Sequence, residues 1–409
     1  MAAASLNPFR TLQRHRNFRI FWIGQTLSLV GSWMQSMAQG WLALELSNSA
    51  FVVGVVAAVG SLPILLFTLQ AGVIVDRVPK LRLVKLMQAL LLLEATLLWW
   101  FTWSGHITIP WLLVLAAASG FCGAFEIPAR QSLIVNLVAR EDLQGAIALN
   151  SSGFNLARIV GPALAAIVIA NFGLAWCFGL NALSYLAVLI GLAMIRLPEG
   201  VDSPVAATTS RLAGFIEGLR YMRDTRPVAE LMKLVGVYAV LGAPYLTLMP
   251  VVARDKLGIG AGGYGVLLSC VGAGGVAGAL VLAGVGAQVR RGRALVASGY
   301  GYCLLLVAFA FARSELGAGI VLFLIGFMMI VTNALANGLL QTLVPDAFRG
   351  RLMAAYSFTV VGLAQVVGAF AGGAIARAVG VDWAIGICAG LMLVYTVHAR
   401  ARFPELAEL

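Results

Sequence analysis

Apolar runs of about 20 residues recur along the whole of this sequence, and that recurrence constrains the fold more than any other feature. A helix rising about 1.5 Å per residue needs roughly 20 residues to cross a ~30 Å hydrocarbon core. Twelve segments meet that length: 18–44, 50–75, 83–103, 109–133, 144–170, 174–196, 228–252, 263–286, 294–312, 316–343, 352–376 and 382–399. Of the 409 residues, 61% are hydrophobic and 11% charged, with a mean hydropathy of +0.93. Soluble domains carry roughly 25% charged residues. A β-barrel is disfavoured, because the runs lack strict alternation and exceed the about 10 residues of a barrel strand. The expected fold class is therefore all-α and integral to a membrane, with twelve transmembrane helices.

A formal net charge of +11 invites nucleic acid as a partner, but the placement of the charges argues against it. With both termini in the cytosol, 23 of the 28 Lys and Arg fall on the inner side. Arg254, Lys256, Arg313 and Arg377 fall outside, and Arg158 lies within a span. Such a bias orients a multi-span protein, and it also attracts anionic membrane lipid. Nucleic acid is not expected as a partner.

Cys122, Cys177, Cys270, Cys303 and Cys388 all fall in the expected spans without a CxxC pair, so they read as packing residues rather than a disulfide framework or a metal cluster. His15, His106 and His398 have no partner spacing that suggests a metal, and no cofactor motif appears. The run GAGGVAGAL (272–280) lacks the lysine of a phosphate-binding loop and reads as close helix packing. The basic N-terminus precedes an apolar stretch too long for a signal peptide. It is expected to stay attached as a cytosolic lead-in.

The longest hydrophilic segment divides the spans six and six. The expected organisation is a cytosolic lead-in at 1–17, a six-helix bundle at 18–196, a cytosolic linker at 197–227, a second six-helix bundle at 228–399 and a cytosolic tail at 400–409. Within the linker, Leu212, Phe215, Ile216 and Leu219 share a face, with Arg211, Arg220 and Arg223 among the polar positions, as in a helix lying on a membrane surface. Moving the second half back by 207 positions superposes Leu133 on Leu340, Ala148 on Ala355, Leu156 on Leu363, Val160 on Val367 and Gly161 on Gly368. An even number of spans per half makes these parallel repeats, with an interface near the midplane suited to alternating access.

Polar side chains recur at helical spacing inside several spans. The first carries Gln25, Ser28, Ser32, Gln35 and Gln39; the fourth carries Ser119, Cys122, Glu126 and Arg130. The seventh carries Tyr238, Gly242, Tyr245 and Met249, and the tenth Asn333, Asn337 and Gln341. Facing lipid, each amide would lose hydrogen bonds worth a few kcal/mol. Two readings stand: these side chains line a wet cavity, or they bond helix to helix. Tyr238 and Tyr245 divide in the same way between stacking on a substrate and packing.

Charge inside a span costs roughly 3 kcal/mol and calls for a partner. Glu126 and Arg130 lie one turn apart with the acid on the N-terminal side, the favourable order for a pair. Arg158 sits deep in the fifth span on a face with Ser151 and Asn155, and the repeat sets Gln365 against it in the other half. One reading makes Glu126 a proton-sensitive group for which Arg130 or Arg158 competes with the proton. The other makes Glu126, Arg130 and Arg158 a permanent charge lock. Glu94 lies in the third span, and Glu45 at the outer end of the first.

The stretch GVIVDRVPKLR (72–82) resembles the loop between the second and third helices of the major facilitator superfamily, with Pro79 and Leu81 departing from the pattern. The stretches at 32–50, 126–151, 157–165 and 344–356 resemble the exporter branch of that superfamily that includes enterobactin and macrolide efflux proteins, the transmembrane secretion effectors. Gly161-Pro162 is similar to the glycine-proline signature of antiporters, although Ala165-Ala166 replaces the usual glycine pair. The resemblance implies two pseudo-symmetric six-helix bundles whose first, fourth, seventh and tenth helices line a central cavity, and a peripheral third helix. It implies that Gly72, Asp76, Arg77 and Lys80 form a conformational latch, against the alternative of a loop that only enforces topology; a shift of 212, which superposes AGVIVDRVPKLR (71–82) on AGVGAQVRRGRA (283–294), sets Gln288 at the position of Asp76. Gly161 and Pro162 become a hinge, since proline breaks the helical hydrogen-bond ladder. The implied function is secondary active, proton-coupled efflux of a small amphipathic compound, a siderophore or drug-like molecule, from a bacterial plasma membrane. Small-molecule substrate, protons and lipid are the implied partners, the chain a monomer, without cofactor or metal and not an enzyme. Import, lipid translocation and a non-transporting sensor are the alternatives.

Overall fold

The structure, a computed structural model, describes residues 9–197, 211–285 and 290–408. Among the described residues every regular element is helical and no strand occurs. In chain order they are α1 (Phe9–Arg14), α2 (Arg16–Ser47), α3 (Ala50–Arg77), α4 (Lys80–Trp103), α5 (Ile109–Leu137), α6 (Leu143–Phe172), α7 (Ala175–Met194) and α8 (Arg211–Asp224). There follow α9 (Arg226–Thr247), α10 (Met249–Val251) with a π-helical turn at Val252–Lys256, α11 (Ala261–Val285), α12 (Arg291–Ala310) and α13 (Glu315–Leu343). The last are α14 (Asp346–Ser357), which runs through a π-helical stretch at Phe358–Gly368 into α15 (Ala369–Val379), and α16 (Val381–Arg402).

Ten helical segments among the described residues are long and apolar enough to cross a membrane. The expected spans 18–44 and 83–103 fall in α2 and α4, which are 32 and 24 residues long. Their polar content dilutes the apolar signal: α2 carries three glutamines and a run of serines, and α4 carries Lys80, Arg82, Lys85, Gln88 and Glu94.

The chain divides into two compact units, Met1–Gln39 with Leu66–Thr208, and Gly40–Leu65 with Thr209–Leu409. The partition falls inside α2 and α3. In the first unit α4 packs on α5 and α7. Its core gathers Phe18 and Phe21 from α2, Val84 from α4, Leu133 and Ile134 from α5, Leu149 from α6 and Leu192 from α7, all buried. Helix α7 shows the inverted amphipathicity of a lipid-bathed helix. Asn181, Tyr185, Val188 and Leu192 face inward, while Leu183, Leu186 and Ile190 are exposed apolar side chains on the opposite face.

In the second unit α11 and α12 pack on α13, and α16 packs on α9 and α12. Helices α11 and α13 meet through glycines. A Cβ on Gly274 would overlap the Phe323 carbonyl oxygen, and one on Gly326 would overlap that of Val271. The glycine-rich run thus brings two backbones into contact. In the same unit α8 is tied to α14, with Tyr221 stacked on Phe348 at 4.5 Å and Glu217 paired with Arg351 at 2.8 Å. The side chains of Arg211, Leu212, Phe215, Ile216 and Leu219 lie outside the described residues.

The internal repeat has a backbone counterpart. Helix α6 ends at Gly173 with φ 88° and ψ 166°, and α15 ends at Gly380 with φ 90° and ψ 161°. Only glycine adopts such angles without strain, and the two lie at the same 207-residue offset that superposes the two halves of the sequence.

Candidate functional site

The first unit holds a set of polar side chains buried among its helices. On α5, Glu126 Oε1 and Arg130 Nε lie 3.0 Å apart as an ion pair, each side chain 8% exposed. The pairing follows from the i, i+4 spacing, with the acid preceding the base. Neighbouring helices complete it. Gln88 of α4 donates from Nε2 to Glu126 Oε1 at 3.3 Å, and Arg130 donates to Asn150 Oδ1 of α6 at 3.4 Å. Taking two charges out of water is costly, and these added partners are what make a buried pair tolerable.

A second cluster joins α2, α4 and α7. Gln35 Nε2 donates to both oxygens of Glu94, at 3.1 and 3.0 Å. Gln35 Oε1 in turn accepts from Asn181 Nδ2 at 2.7 Å. One turn away, the hydroxyls of Ser32 and Tyr185 lie 3.0 Å apart. Gln35, Glu94 and Asn181 are 4%, 4% and 0% exposed. Close approach depends on Gly31, where any Cβ would meet Asn181 Oδ1 and Ser184 Oγ.

Of the polar stripe on the first span, Ser32 and Gln35 therefore carry helix-to-helix hydrogen bonds, Gln25 and Ser28 are buried, and Gln39 is half-buried. Ser119 and Arg158 are half-buried on α5 and α6, and Cys122 is buried. In the second unit Tyr238 and Tyr245 are buried, the first with its hydroxyl 2.9 Å from Thr396 Oγ1 and the second 3.6 Å from Met329 sulfur. Asn333 is half-buried, Gln341 donates to Asn337 along α13, and Gln365 is exposed.

Of the expected latch, Gly72 and Lys80 are buried and Arg77 is exposed. The side chain of Asp76, and Gln288, lie outside the described residues. Pro162 sits within α6, where the adjacent Gly161 abuts the Trp33 side chain and the Val30 carbonyl of α2. His15 pairs with Asp142 at 2.9 Å. Among the described residues no three His, Cys, Asp or Glu side chains gather in a way that could hold a metal ion.

Sequence reasoning missed Gln88, Asn150, Asn181 and Tyr185 as members of these clusters. The available signal was a lone amide in an otherwise apolar span, seen at Asn181 and Gln88.

The fold is shared with solved multi-span helical proteins. The peptide transporter POT shares it with a TM-score of 0.75, at 13% identity over 99% of both chains. The nucleoside transporter NupG shares it at 0.74, with 12% identity over 95% of this chain and 99% of that one. A bacterial homologue of the lysosomal transporter Spinster aligns at 0.72, with 13% identity over 96% and 97%. Sequence relatives lie nearer. The staphyloferrin A transporter of Staphylococcus aureus is 26% identical over 64% of this chain and 66% of its own length. The multidrug efflux pump Tap of Mycolicibacterium fortuitum is 26% identical over 79% and 80%. The enterobactin exporter EntS of Escherichia coli is 23% identical over 83% and 81%. A model of the transmembrane secretion effector family matches residues 3–409, and the chain belongs to that family of the major facilitator superfamily.

Proposed function

We propose that this protein is a proton-coupled exporter of a small amphipathic organic compound, siderophore-like or drug-like, working by alternating access in a bacterial plasma membrane. The observation that carries the reading is the buried Glu126–Arg130 pair, held by Gln88 of α4 and Asn150 of α6. A functional carboxylate in hydrocarbon needs a cation that can trade places with a proton. Support for export comes from the relatives named as a multidrug efflux pump and an enterobactin exporter. In this reading both termini are cytosolic and twelve helices form two six-helix bundles. Gln25, Gln39, Asn333, Asn337, Gln341 and Gln365 face the substrate path. Gly72, Asp76, Arg77 and Lys80 latch the cytosolic side, Gly161 and Pro162 allow α6 to bend, and Arg158 is a second cation for the exchange. An imported proton gains about 2.3 kcal/mol per 100 mV of membrane potential, enough to drive uphill export.

The test is Glu126→Gln. In everted vesicles given ethidium or erythromycin in the outside medium, export appears as uptake into the lumen, and the substitution is expected to abolish its dependence on a pH gradient. Export that keeps its gradient dependence and apparent affinity would remove Glu126 from the coupling.

A further inference from the structure

We propose that Glu94 is a second proton-binding site, and that the amides of Gln35 and Asn181 relay its protonation state from α4 through α2 to α7. Glu94 lies about 21 Å along α4 from its first residue, well inside a hydrocarbon-length helix. It is 4% exposed, and both of its oxygens accept from the single amide nitrogen of Gln35.

The groups facing it from each packed helix are neutral or acidic. Tyr185 of α7 and Cys122 of α5 are the uncharged titratable groups near it. Glu126, also on α5, is already matched by Arg130. Helix α7 carries no charged residue. The charges of α2, Arg16, Arg19 and Glu45, and the basic residues of α4, Lys80, Arg82 and Lys85, are all nine or more positions from Gln35 or Glu94 along their helices. Among the described residues no cation lies within ion-pair distance of Glu94. An isolated carboxylate in hydrocarbon is relieved either by a cation or by a proton, and here the available partner is a proton.

The hydrogen-bond inventory makes the site a relay. Ionised, a carboxylate only accepts, so Gln35 must turn its nitrogen to Glu94 and its oxygen to Asn181. That is the arrangement present, with Asn181 donating at 2.7 Å. A proton placed on either Glu94 oxygen turns an acceptor into a donor. The other oxygen can still accept from Gln35 Nε2, but the new O–H needs an acceptor of its own; rotation of the Gln35 amide supplies its oxygen, and Asn181 then loses the acceptor it had. One proton on α4 thereby changes a contact between α2 and α7. Because a buried donor without a partner is costly, the two arrangements favour different packings of those helices.

The inference rests on the exporter reading, with Glu94 serving alongside Glu126. Its test is pH-difference infrared spectroscopy of the full-length protein in vesicles of phosphatidylethanolamine and phosphatidylglycerol. The wild type should show titrating protonated-carboxyl bands, and Glu94→Gln should remove one of them, distinct from the band that Glu126→Gln removes. Glu94→Asp retains a carboxyl and should displace the band, which guards against misfolding of the glutamine variant. Gln35→Leu should keep the band and shift its midpoint. A set of titrating bands unchanged in Glu94→Gln and Glu94→Asp, or a midpoint unmoved in Gln35→Leu, overturns the proposal. Ethidium export from the same vesicles separates the two claims. No export by the wild type strikes at the exporter reading, whereas gradient-dependent export at the wild-type rate in Glu94→Gln strikes at this one.

Discussion

Glu126 and Arg130 face each other at 3.0 Å on one side of α5, and each reaches a different neighbouring helix. Removing one partner strands the other in a dry core. Arg130→Ala is therefore expected to cost about 3–5 kcal/mol, and the double variant Glu126→Leu, Arg130→Met far less. Thermal unfolding of the purified proteins in detergent measures both, and equal losses in the single and double variants would contradict the pairing.

Gln35 is the shared member of the bonds to Glu94 and Asn181, so its loss orphans groups on two helices. Gln35→Leu should destabilise by about 1–3 kcal/mol, because a buried donor and a carboxylate lose their partner together. Tyr185→Phe removes one hydroxyl contact with Ser32 and should cost only about 0.6 kcal/mol, the typical value for a hydrogen bond between membrane helices. The order of the two melting temperatures is the check.

At Gly274 the backbone of α13 leaves no room for a side chain. Gly274→Ala should cost about 1–3 kcal/mol through forced separation of α11 and α13. Gly284→Ala, at a site where a Cβ meets nothing within 4 Å, serves as the control and should melt like the wild type.

Much of the architecture was legible in the sequence because its causes are local. Apolar runs announce helices by length alone, and a glutamate four residues ahead of an arginine announces a pair on one face. The repeat was legible too, and it extends to a shared glycine cap at Gly173 and Gly380. What escaped was the cluster around Glu94, whose partner Gln35 is 59 positions away in sequence and whose relay partner Asn181 is a further 146 from Gln35. Spacing along one helix identifies a polar face but not the side chain that meets it. For the same reason the stripe on α2 did not reveal that Ser32 and Gln35 bond to α7 and α4.

The proposed orientation has a direct chemical reading. The native cysteines lie within helices, four buried and one half-buried, so they give a quiet background for labelling. In intact cells, Ser104→Cys should react with an impermeant maleimide from outside. Thr225→Cys should react only after the membrane is opened. The reverse pattern would invert the topology.

Proton-driven export is the step on which the proposed function stands or falls. Purified protein reconstituted in vesicles, with ethidium and erythromycin as probes and an imposed pH gradient as the sole energy source, tests it most directly. Movement of a probe against its gradient, coupled to proton flow and abolished by a protonophore, is the expected result. Vesicles in which neither probe moves with the gradient, while the protein remains folded and correctly oriented, would contradict the account.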